Sequence, residues 1–472
     1  MRARLLLIFA LLFTQAVPAA AQPPAQRANP ISYNQPLIAI THVTIVDGTG
    51  APAARDMTIV LQNGRIAALG PARHTSVPAG ATLIDGTGKT VLPGFVFTHE
   101  HMFYPSGAGH FASMLASFPP LYLAGGVTTA RTGGSIAPYA DLSLRDAINA
   151  GGTIGPDLDV TGPYIEGTGL GIMELHPTPN PDAVERLVNY WADAGVTSFK
   201  AYMMLDRARL RRAIETAHRR GLKITGHLCA VTYREAGEMG IDNLEHGFAA
   251  MTDFVPNKQP DVCPVQAVGN LLGNVDPNSP QMRDLIALLV ARHVALTSTL
   301  VVFEDMTPGR QRLDAAQRGL LNESALRSYD AIHRLIDGGQ RGRPADTFPK
   351  EMRLEHMFVE AGGLLLAGTD PTGAGGAIPG FASIRQIQLL VEAGFTFEQA
   401  VRIGTLNGAT FLGRDRDVGS LAVGKRADLI LVDGDPVRDP AALGRIVTVF
   451  KAGVGYDRQT LLDSARGLIG YR

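Results

Sequence analysis

The sequence has few cysteines, no excess of charge and no long hydrophobic run in its body. Only two cysteines occur in 472 residues, which is too few for a disulfide framework. Cys229 and Cys263 could pair if the chain is exported. Because two cysteines must also meet the narrow geometry of a disulfide, free thiols are the expectation.

Charges of the two signs nearly cancel, with 43 Lys and Arg against 44 Asp and Glu and a formal net charge of −1. A balance of this kind gives no electrostatic reason to bind nucleic acid or an anionic membrane. We therefore expect a small-molecule partner, no nucleic acid and no stable membrane insertion. A homo-oligomer is compatible with the sequence but nothing in it predicts one.

Residues 1–21 have the pattern of a secretory signal peptide, removed after export. Arg2 and Arg4 form the basic start, an apolar core runs from Leu5 to Val17, and small residues at 19–21 offer a cleavage site. The apolar core is shorter than the roughly 20 residues that span a bilayer as a helix, so a retained anchor is the less favoured alternative. We expect an exported protein, periplasmic or secreted, with residues 22–36 as a flexible lead-in rich in Pro, Gln and Ala.

The two ends of the mature chain share a texture of short β-like runs interrupted by Gly, Asn and Asp. Residues 37–92 contain three such runs, and residues 417–472 contain two more followed by a tail. This similarity predicts one small β-sandwich domain built from both ends of the chain.

The middle, residues 93–416, alternates helix-like and strand-like segments. The repeating unit is an amphipathic helix, a turn with Gly, an apolar strand and then a polar residue. Repeated units of this kind favour a parallel sheet. Over about 300 residues, a closed (β/α)8 TIM barrel of the α/β class is the natural prediction, and a doubly wound open sheet is the alternative.

Polar residues suited to one task follow the predicted strands. They are His99, His101, Lys200, His227, His246 and Asp370. Any one of them alone has a plainer explanation, such as a hydrogen-bonded rim histidine or a helix-capping aspartate. In a barrel, however, these strand ends converge on one face. Four imidazoles and a carboxylate gathered there suit one or two divalent metals, with Zn²⁺ the first candidate.

His99 and His101 lie near the end of the stretch "VLPGFVFTHEHMF". Alternate residues of an extended strand point to the same side, which predicts that Phe97, His99 and His101 share one face and that Thr98 and Glu100 point away.

The motifs "PGFVFTHEH", "SFKAY", "ITGHL", "NLEHG" and "LAGTD", in this order, resemble those of the amidohydrolase superfamily. The flanks "NGRIAALG" and "GSLAVGKRADLILVD" resemble its terminal segments, so the resemblance covers roughly residues 37–456. It implies a metal-dependent hydrolase of carbon–nitrogen bonds. By position, His99, His101 and Asp370 match the ligands of one metal and His227 and His246 those of a second. Lys200 matches a lysine that is carboxylated in binuclear members, and Asp370 also matches the proton-handling residue.

One position departs from that resemblance. The family commonly has an Asp two residues before the first histidine, where this chain has Phe97. The ligands themselves remain, but the hydrogen-bonding support expected from that place is missing, and such partners orient metal ligands.

The mechanism that the resemblance implies is attack of a metal-activated hydroxide on a carbonyl, with Asp370 as general base and then general acid. The motif "SFKAYM" is similar to that of hydantoinase-like members, in which a nearby tyrosine helps to hold the substrate, and Tyr202 is the candidate for this role here. The segments around His246 and Asp370 are more similar to Xaa-Pro dipeptidase and imidazolonepropionase-like members. These similarities, with Lys200, favour a linear amide substrate, either a dipeptide or an N-acyl amino acid.

A substrate carboxylate needs cationic or hydrogen-bonding partners. Candidates on predicted strand-end loops are Arg131, Tyr104, Tyr164 and His176. Two alternative functions remain open at the sequence level. One is hydrolysis of a cyclic amide, lactone or phosphotriester at the same metal site, and the other is a non-catalytic, metal-binding exported protein.

Overall fold

The structure, a computed structural model, describes residues 28–107 and 110–470. The predicted signal peptide and residues 22–27 of the predicted lead-in lie outside the described residues. Within the described ranges, no helix is both long enough and apolar enough to cross a membrane.

Twenty strands occur in the part of the chain that the structure describes. In chain order they are β1 (Ile31–Tyr33), β2 (Leu37–Ile45), β3 (Ala54–Gln62), β4 (Arg65–Pro71), β5 (Thr82–Asp85), β6 (Lys89–Pro93), β7 (Phe95–Glu100), β8 (Phe103–Gly107), β9 (His110–Ser113), β10 (Val127–Thr132), β11 (Asp157–Asp159), β12 (Thr161–Ile165), β13 (Ser198–Ala201), β14 (Lys223–Gly226), β15 (Asn243–Glu245), β16 (Ala295–Ser298), β17 (Leu365–Ala367), β18 (Leu429–Asp433), β19 (Ile446–Lys451) and β20 (Val454–Asp457).

The α-helices of the same ranges are α1 (Phe118–Ala124), α2 (Pro138–Asn149), α3 (Pro181–Asp193), α4 (Arg207–Arg219), α5 (Tyr233–Met239), α6 (Pro280–Ala291), α7 (Leu300–Asp305), α8 (Ala315–Arg318), α9 (Glu323–Asp337), α10 (Thr347–Glu360), α11 (Ala382–Glu392), α12 (Phe397–Arg402), α13 (Gly408–Phe411) and α14 (Arg458–Asp463). A π-helical turn at Ile403–Asn407 joins α12 to α13, and short 3-10 helices lie at Val268–Asn270 and Pro440–Gly444.

The two ends of the chain build one mixed β-sheet. Its strand order is β1-β20-β19-β18-β6-β2-β3-β4, with β5 paired to β2. The predicted joining of N- and C-terminal segments is therefore present, but as one hydrogen-bonded sheet of nine strands in the described residues, where a β-sandwich was expected. The lead-in prediction also needs correction at one point, since Ile31–Tyr33 pair antiparallel with β20.

The middle of the chain is an α/β unit of parallel strands. Three strands pair in the order β11-β10-β7, and six pair in the order β12-β13-β14-β15-β16-β17. Outside these ladders, the backbone N–H groups of Thr369 and Asp370 donate to the carbonyl of His99, each at 3.1 Å. The structure thus has the predicted parallel sheets, but its described strands do not form one continuous closed ladder.

Local signals in the sequence explain why helices follow the strands. The side chain of Thr232 accepts from the backbone N–H of Glu235, whose carboxylate accepts from Thr232 in return, so α5 begins with a capping box. The same helix ends at Gly240, whose φ of 90° is a left-handed conformation that glycine adopts without strain. Caps of this kind fix where each strand ends, and therefore where its terminal side chain lies.

The two cysteines are joined, contrary to the expectation of free thiols. Cys229 and Cys263 form a disulfide with a Cα–Cα distance of 4.8 Å and a sequence separation of 34. Because Cys229 lies two residues after His227, the bond fastens the segment 251–263 beside the end of β14. The proximity could not be read from the sequence, since it depends on how that long segment folds back.

We expect the disulfide to stabilise the protein. A closed loop of this size is worth about 4 kcal/mol in the chain-entropy account, so Cys229→Ser with Cys263→Ser should lower the melting temperature by several degrees. The measurement is thermal unfolding with and without reductant. Reductant should lower the melting temperature of the native sequence and leave that of the double variant unchanged. Equal melting temperatures for all four samples would contradict the prediction.

Candidate metal centre

Six side chains that follow predicted strands line one cavity of about 280 Å³. They are His99, His101, Lys200, His227, His246 and Asp370. Each is supplied by a different strand end or, for the first two, by the end of β7. The structure therefore brings together all six residues that the sequence singled out for one site.

The strand that carries the first two histidines is irregular. Phe97 is opposite Ala130 and Glu100 is opposite Thr132, so three steps along β7 match two along β10. A bulge of this kind interrupts the alternation of side chains. Phe97 stacks on Phe95, with ring centroids 5.5 Å apart, and is not among the residues that line the cavity. The prediction that Phe97 shares a face with both histidines is therefore wrong.

Hydrogen bonds orient the imidazoles of His99 and His101. Nδ1 of His99 lies 2.8 Å from Oε2 of Glu245, and Nδ1 of His101 lies 3.2 Å from the carbonyl of Gly134. The proton on each Nδ1 is thereby engaged, so each Nε2 is left with a free lone pair. Nε2 of His101 is 3.2 Å from Oδ1 of Asp370, and Nε2 of His99 is 3.9 Å from the same oxygen.

The remaining histidines and the lysine complete the cluster. Nδ1 of His246 is 2.9 Å from Oγ1 of Thr299 and 3.8 Å from Oδ2 of Asp370. The ring of His227 is 4.4 Å from that of His246, and Nζ of Lys200 is 3.5 Å from Nε2 of His99. Ligand atoms of His99, His246 and Asp370 all lie within 4.8 Å of one another. Imidazole nitrogens and a carboxylate at this spacing fit a Zn²⁺-like divalent cation.

Two of these residues have an unusual backbone conformation. His246 has a φ of 71° and Asp370 a φ of 48°, values that residues with a Cβ rarely adopt. Such conformations cost of order 1–3 kcal/mol and persist only where the surroundings impose them. Here the strand ends turn abruptly, and the turn aims both side chains into the cavity.

Glu245, paired with Arg131, supplies the hydrogen-bonding support that the missing aspartate would have given to the histidines. Both are fully buried, and Nη1 of Arg131 lies 3.3 Å from Oε1 of Glu245. The other oxygen of Glu245 holds Nδ1 of His99. The support that the sequence could not locate thus comes from the residue that precedes His246. Its only sequence signal was a carboxylate directly before the histidine of the motif "NLEHG".

Burial governs the charge states of the cluster. It lowers the pKa of His101 to about 4 and the pKa of His227 to about 3, so both imidazoles are neutral near pH 7. Burial also lowers the pKa of Lys200 to about 8, although Glu245 and Asp370 act in the opposite direction. Neutral imidazoles are the form in which histidine binds a metal.

Only some of the predicted substrate-binding residues line the cavity. Tyr202 and Tyr164 line the cavity, with their rings 4.9 Å apart. His176 is exposed and does not line the cavity, although its neighbour Leu175 does.

Arg131 and Tyr104 need correction. Arg131 lies inside β10, where it was expected on a loop, and its guanidinium bonds only to protein groups of the sheet interior. The hydroxyl of Tyr104 donates to the carbonyl of Gly375 at 2.8 Å, and its ring is buried. The polar groups of both side chains therefore form hydrogen bonds within the protein framework.

Comparisons with known proteins find similarity to amidohydrolases. The model of the amidohydrolase family matches residues 349–454. Imidazolonepropionase from Streptomyces griseus is 24% identical over 427 residues, which are 84% of this chain and 92% of that protein. A solved structure from Bifidobacterium longum, provisionally described as a prolidase, is 26% identical with a TM-score of 0.67 and covers 91% of this chain and 98% of its own.

A more local match has higher identity. Imidazolonepropionase from Mycolicibacterium smegmatis is 33% identical over 110 residues, which are 23% of this chain. In that match the chain spans 26% of the relative's length. The similarity of the whole chain thus rests on the long matches at lower identity.

Gly133 offers a test of the cluster's geometry, because it packs directly on His99. A Cβ at position 133 would lie 2.5 Å from Cδ2 of His99, a distance at which the ring must move. We expect Gly133→Ala to reduce the zinc retained by the purified protein, measured by plasma mass spectrometry, while the far-ultraviolet circular dichroism stays unchanged. The matched control is Gly444→Ala, where a Cβ would meet nothing within 4 Å. Equal zinc content in the two variants would contradict this arrangement.

Proposed function

Because the chain belongs to the amidohydrolase superfamily, we propose that it is a metal-dependent hydrolase that cleaves a linear amide, either a dipeptide or an N-acyl amino acid. The observation that carries the proposal is the convergence of four histidines, a lysine and an aspartate on one buried cavity. Few arrangements other than a metal centre explain so many buried imidazoles around one carboxylate.

Two divalent cations, Zn²⁺ first, are proposed for this cavity. His99, His101 and Asp370 would hold one, since Nε2 of His101 lies 3.2 Å and Nε2 of His99 3.9 Å from Oδ1 of Asp370. His227 and His246 would hold the other. Lys200 lines the same cavity, with Nζ 3.5 Å from Nε2 of His99. We propose that it is carboxylated, since a carbamate offers two oxygens where an ammonium offers no lone pair.

Bound divalent cations supply Lewis acidity, which activates water and polarises a carbonyl. Asp370 is proposed as the proton shuttle. It takes the proton released when water attacks the carbonyl carbon and returns it to the nitrogen as the carbon–nitrogen bond breaks. The hydroxyl of Thr372 donates to Oδ1 of Asp370 at 2.7 Å and so holds the carboxylate in place for both transfers.

The substrate class is supported by the shape and lining of the cavity. Phe103, Ile136 and Leu175 provide apolar walls, and Tyr202 and Tyr164 provide hydroxyl groups near the cluster. Sites of this kind, mostly apolar with a few convergent polar groups, suit small organic substrates. The likeness to the Bifidobacterium longum protein described as a prolidase favours a peptide-like amide.

Two further features remain proposals. We propose that β7 and β17 close the parallel strands into a barrel, supported by the bonds from Thr369 and Asp370 to His99. The barrel has eight strands if β11 and β12, which only Val160 separates, count as one. We also propose that the protein is exported. The disulfide between Cys229 and Cys263 supports export, because such bonds persist in oxidising compartments.

Asp370→Asn tests the proton-shuttle role. The amide keeps the size of the side chain and can still accept from Thr372, but it cannot take up a proton near neutral pH. We expect kcat to fall at least about a hundredfold, the lower range for loss of general acid–base catalysis, with little change in melting temperature. A variant with near-normal kcat would rule out the role.

Metal removal tests the reaction class. We expect chelation to abolish hydrolysis of dipeptides and N-acyl amino acids and added Zn²⁺ to restore it, measured as released amino acid. A panel with lactones, cyclic amides and phosphotriesters is the comparison. Cleavage of those compounds without cleavage of linear amides would overturn the substrate class. Metal bound without any turnover would favour a non-catalytic binding protein.

A further inference from the structure

A second chamber adjoins the proposed metal centre. Its volume is about 290 Å³, and it shares His227, Phe303, Met306 and Gly373 with the first cavity. The two spaces therefore communicate past the side chains of proposed metal ligands and their neighbours. A substrate held at the metal centre could extend into this chamber.

The walls of the second chamber are largely apolar. Met203, Leu228, Ala250, Leu271 and Ile336 line it, and the Cys229 end of the disulfide closes one side. Such walls are suited to an aliphatic or aromatic side chain, which gains free energy from leaving water. The chamber has one partly buried charged group within this apolar surface, the guanidinium of Arg343.

Arg343 is placed by its surroundings but has few partners of its own. Its backbone N–H donates to the carbonyl of Met306 at 3.0 Å, and its Nη2 donates to the carbonyl of Ala249 at 3.1 Å. The guanidinium carbon lies 4.7 Å from the centre of the Phe303 ring. In the described ranges no carboxylate forms an ion pair with it. Several of its five N–H donors thus remain available.

Glu351 acts electrostatically on Arg343 but forms no ion pair with it in the described ranges. Oε1 of Glu351 accepts from the backbone N–H of Phe248 at 2.8 Å, and burial raises the pKa of Glu351 to about 7. Burial also lowers the pKa of Arg343, despite the opposing influence of Glu351. A guanidinium in an apolar chamber without a counter-ion is unfavourable, and an incoming anion relieves that cost.

We propose that Arg343 binds the free α-carboxylate of the amino acid on the leaving side of the scissile amide, and that the apolar chamber holds the side chain of the same residue. The inference rests on the proposed function and narrows it to amides whose amine product is an apolar amino acid. It makes Arg343 a specificity-determining residue, and a carboxamide in place of the carboxylate would be a poor substrate.

The distances allow this placement. Phe303 separates the two groups, with its ring 5.7 Å from that of His246 and 4.7 Å from the guanidinium carbon. In an amino-acid amide, three bonds join the scissile carbonyl carbon to the carboxylate carbon, a span of about 4 Å. An Arg–carboxylate hydrogen bond adds about 2.8 Å. A substrate with its carbonyl at the metal centre can therefore present its carboxylate around the edge of Phe303.

The test compares N-acetyl-L-leucine with N-acetyl-L-leucinamide, which differ only in the charge at the proposed contact. For the Zn²⁺-loaded native protein we expect kcat/KM for acetyl release to be at least about tenfold higher with the carboxylate, the lower range for a hydrogen bond to a charged group. Arg343→Gln should remove this preference mainly by raising KM for the carboxylate. Arg343→Lys should retain part of it, because the charge remains but the planar fork is lost.

Arg341→Gln is the matched control, since Arg341 also lines the chamber but is exposed. Arg341→Gln should keep the preference for the carboxylate. If Arg341→Gln lost this preference and Arg343→Gln kept it, the assignment would be overturned. Calorimetric binding of both compounds to the Asp370→Asn protein gives a readout independent of turnover. Equal affinities there would also overturn it. Carboxylate-selective binding without turnover in the native protein would support Arg343 while contradicting the proposed hydrolysis.

Discussion

The buried ion pair between Arg131 and Glu245 is the interaction on which the candidate centre depends. Arg131 donates to the carbonyl of Thr98, to Ser198 and to Thr225, and so ties β10 to β7, β13 and β14. Glu245 adds β15 and fixes the ring of His99. Removing one partner of such a pair leaves a buried charge and typically costs about 3–5 kcal/mol. The strands that carry the site are therefore held in register by the same charges that orient its first ligand.

This network also shows the limit of what sequence could predict. The six cavity residues could be found because each lies at or just after the end of a strand-like run, a local pattern that can be read without knowledge of the fold. The pair of Arg131 with Glu245 could not, because 114 residues separate the partners and nothing local marks their contact. Arg131 was consequently expected on a loop as a substrate contact, whereas its guanidinium donates hydrogen bonds to groups inside the sheet.

Other differences have equally specific causes. The alternation rule misplaced Phe97 because it assumes a regular strand, and the bulge between Phe97 and Glu100 resets the alternation. The disulfide was not expected because the path of residues 251–263 decides whether Cys229 meets Cys263. No pattern in the sequence marked Arg343, since it lies in the connection between α9 and α10 and does not follow a strand in the sequence. In each case a long connection or a local irregularity, and not residue type, determined the outcome.

The charges of the cluster link its scaffold to its proposed chemistry. Glu245 is already balanced by Arg131, so it does little to offset a cation in the cavity. An ammonium on Lys200, 3.5 Å from Nε2 of His99, would repel a divalent metal at that nitrogen. Carboxylation would replace this positive charge with a negative one at the same place. Lys200 is buried and within reach of His99, so its charge acts directly on a cation bound there. The proposed metal centre and the proposed modification therefore depend on each other.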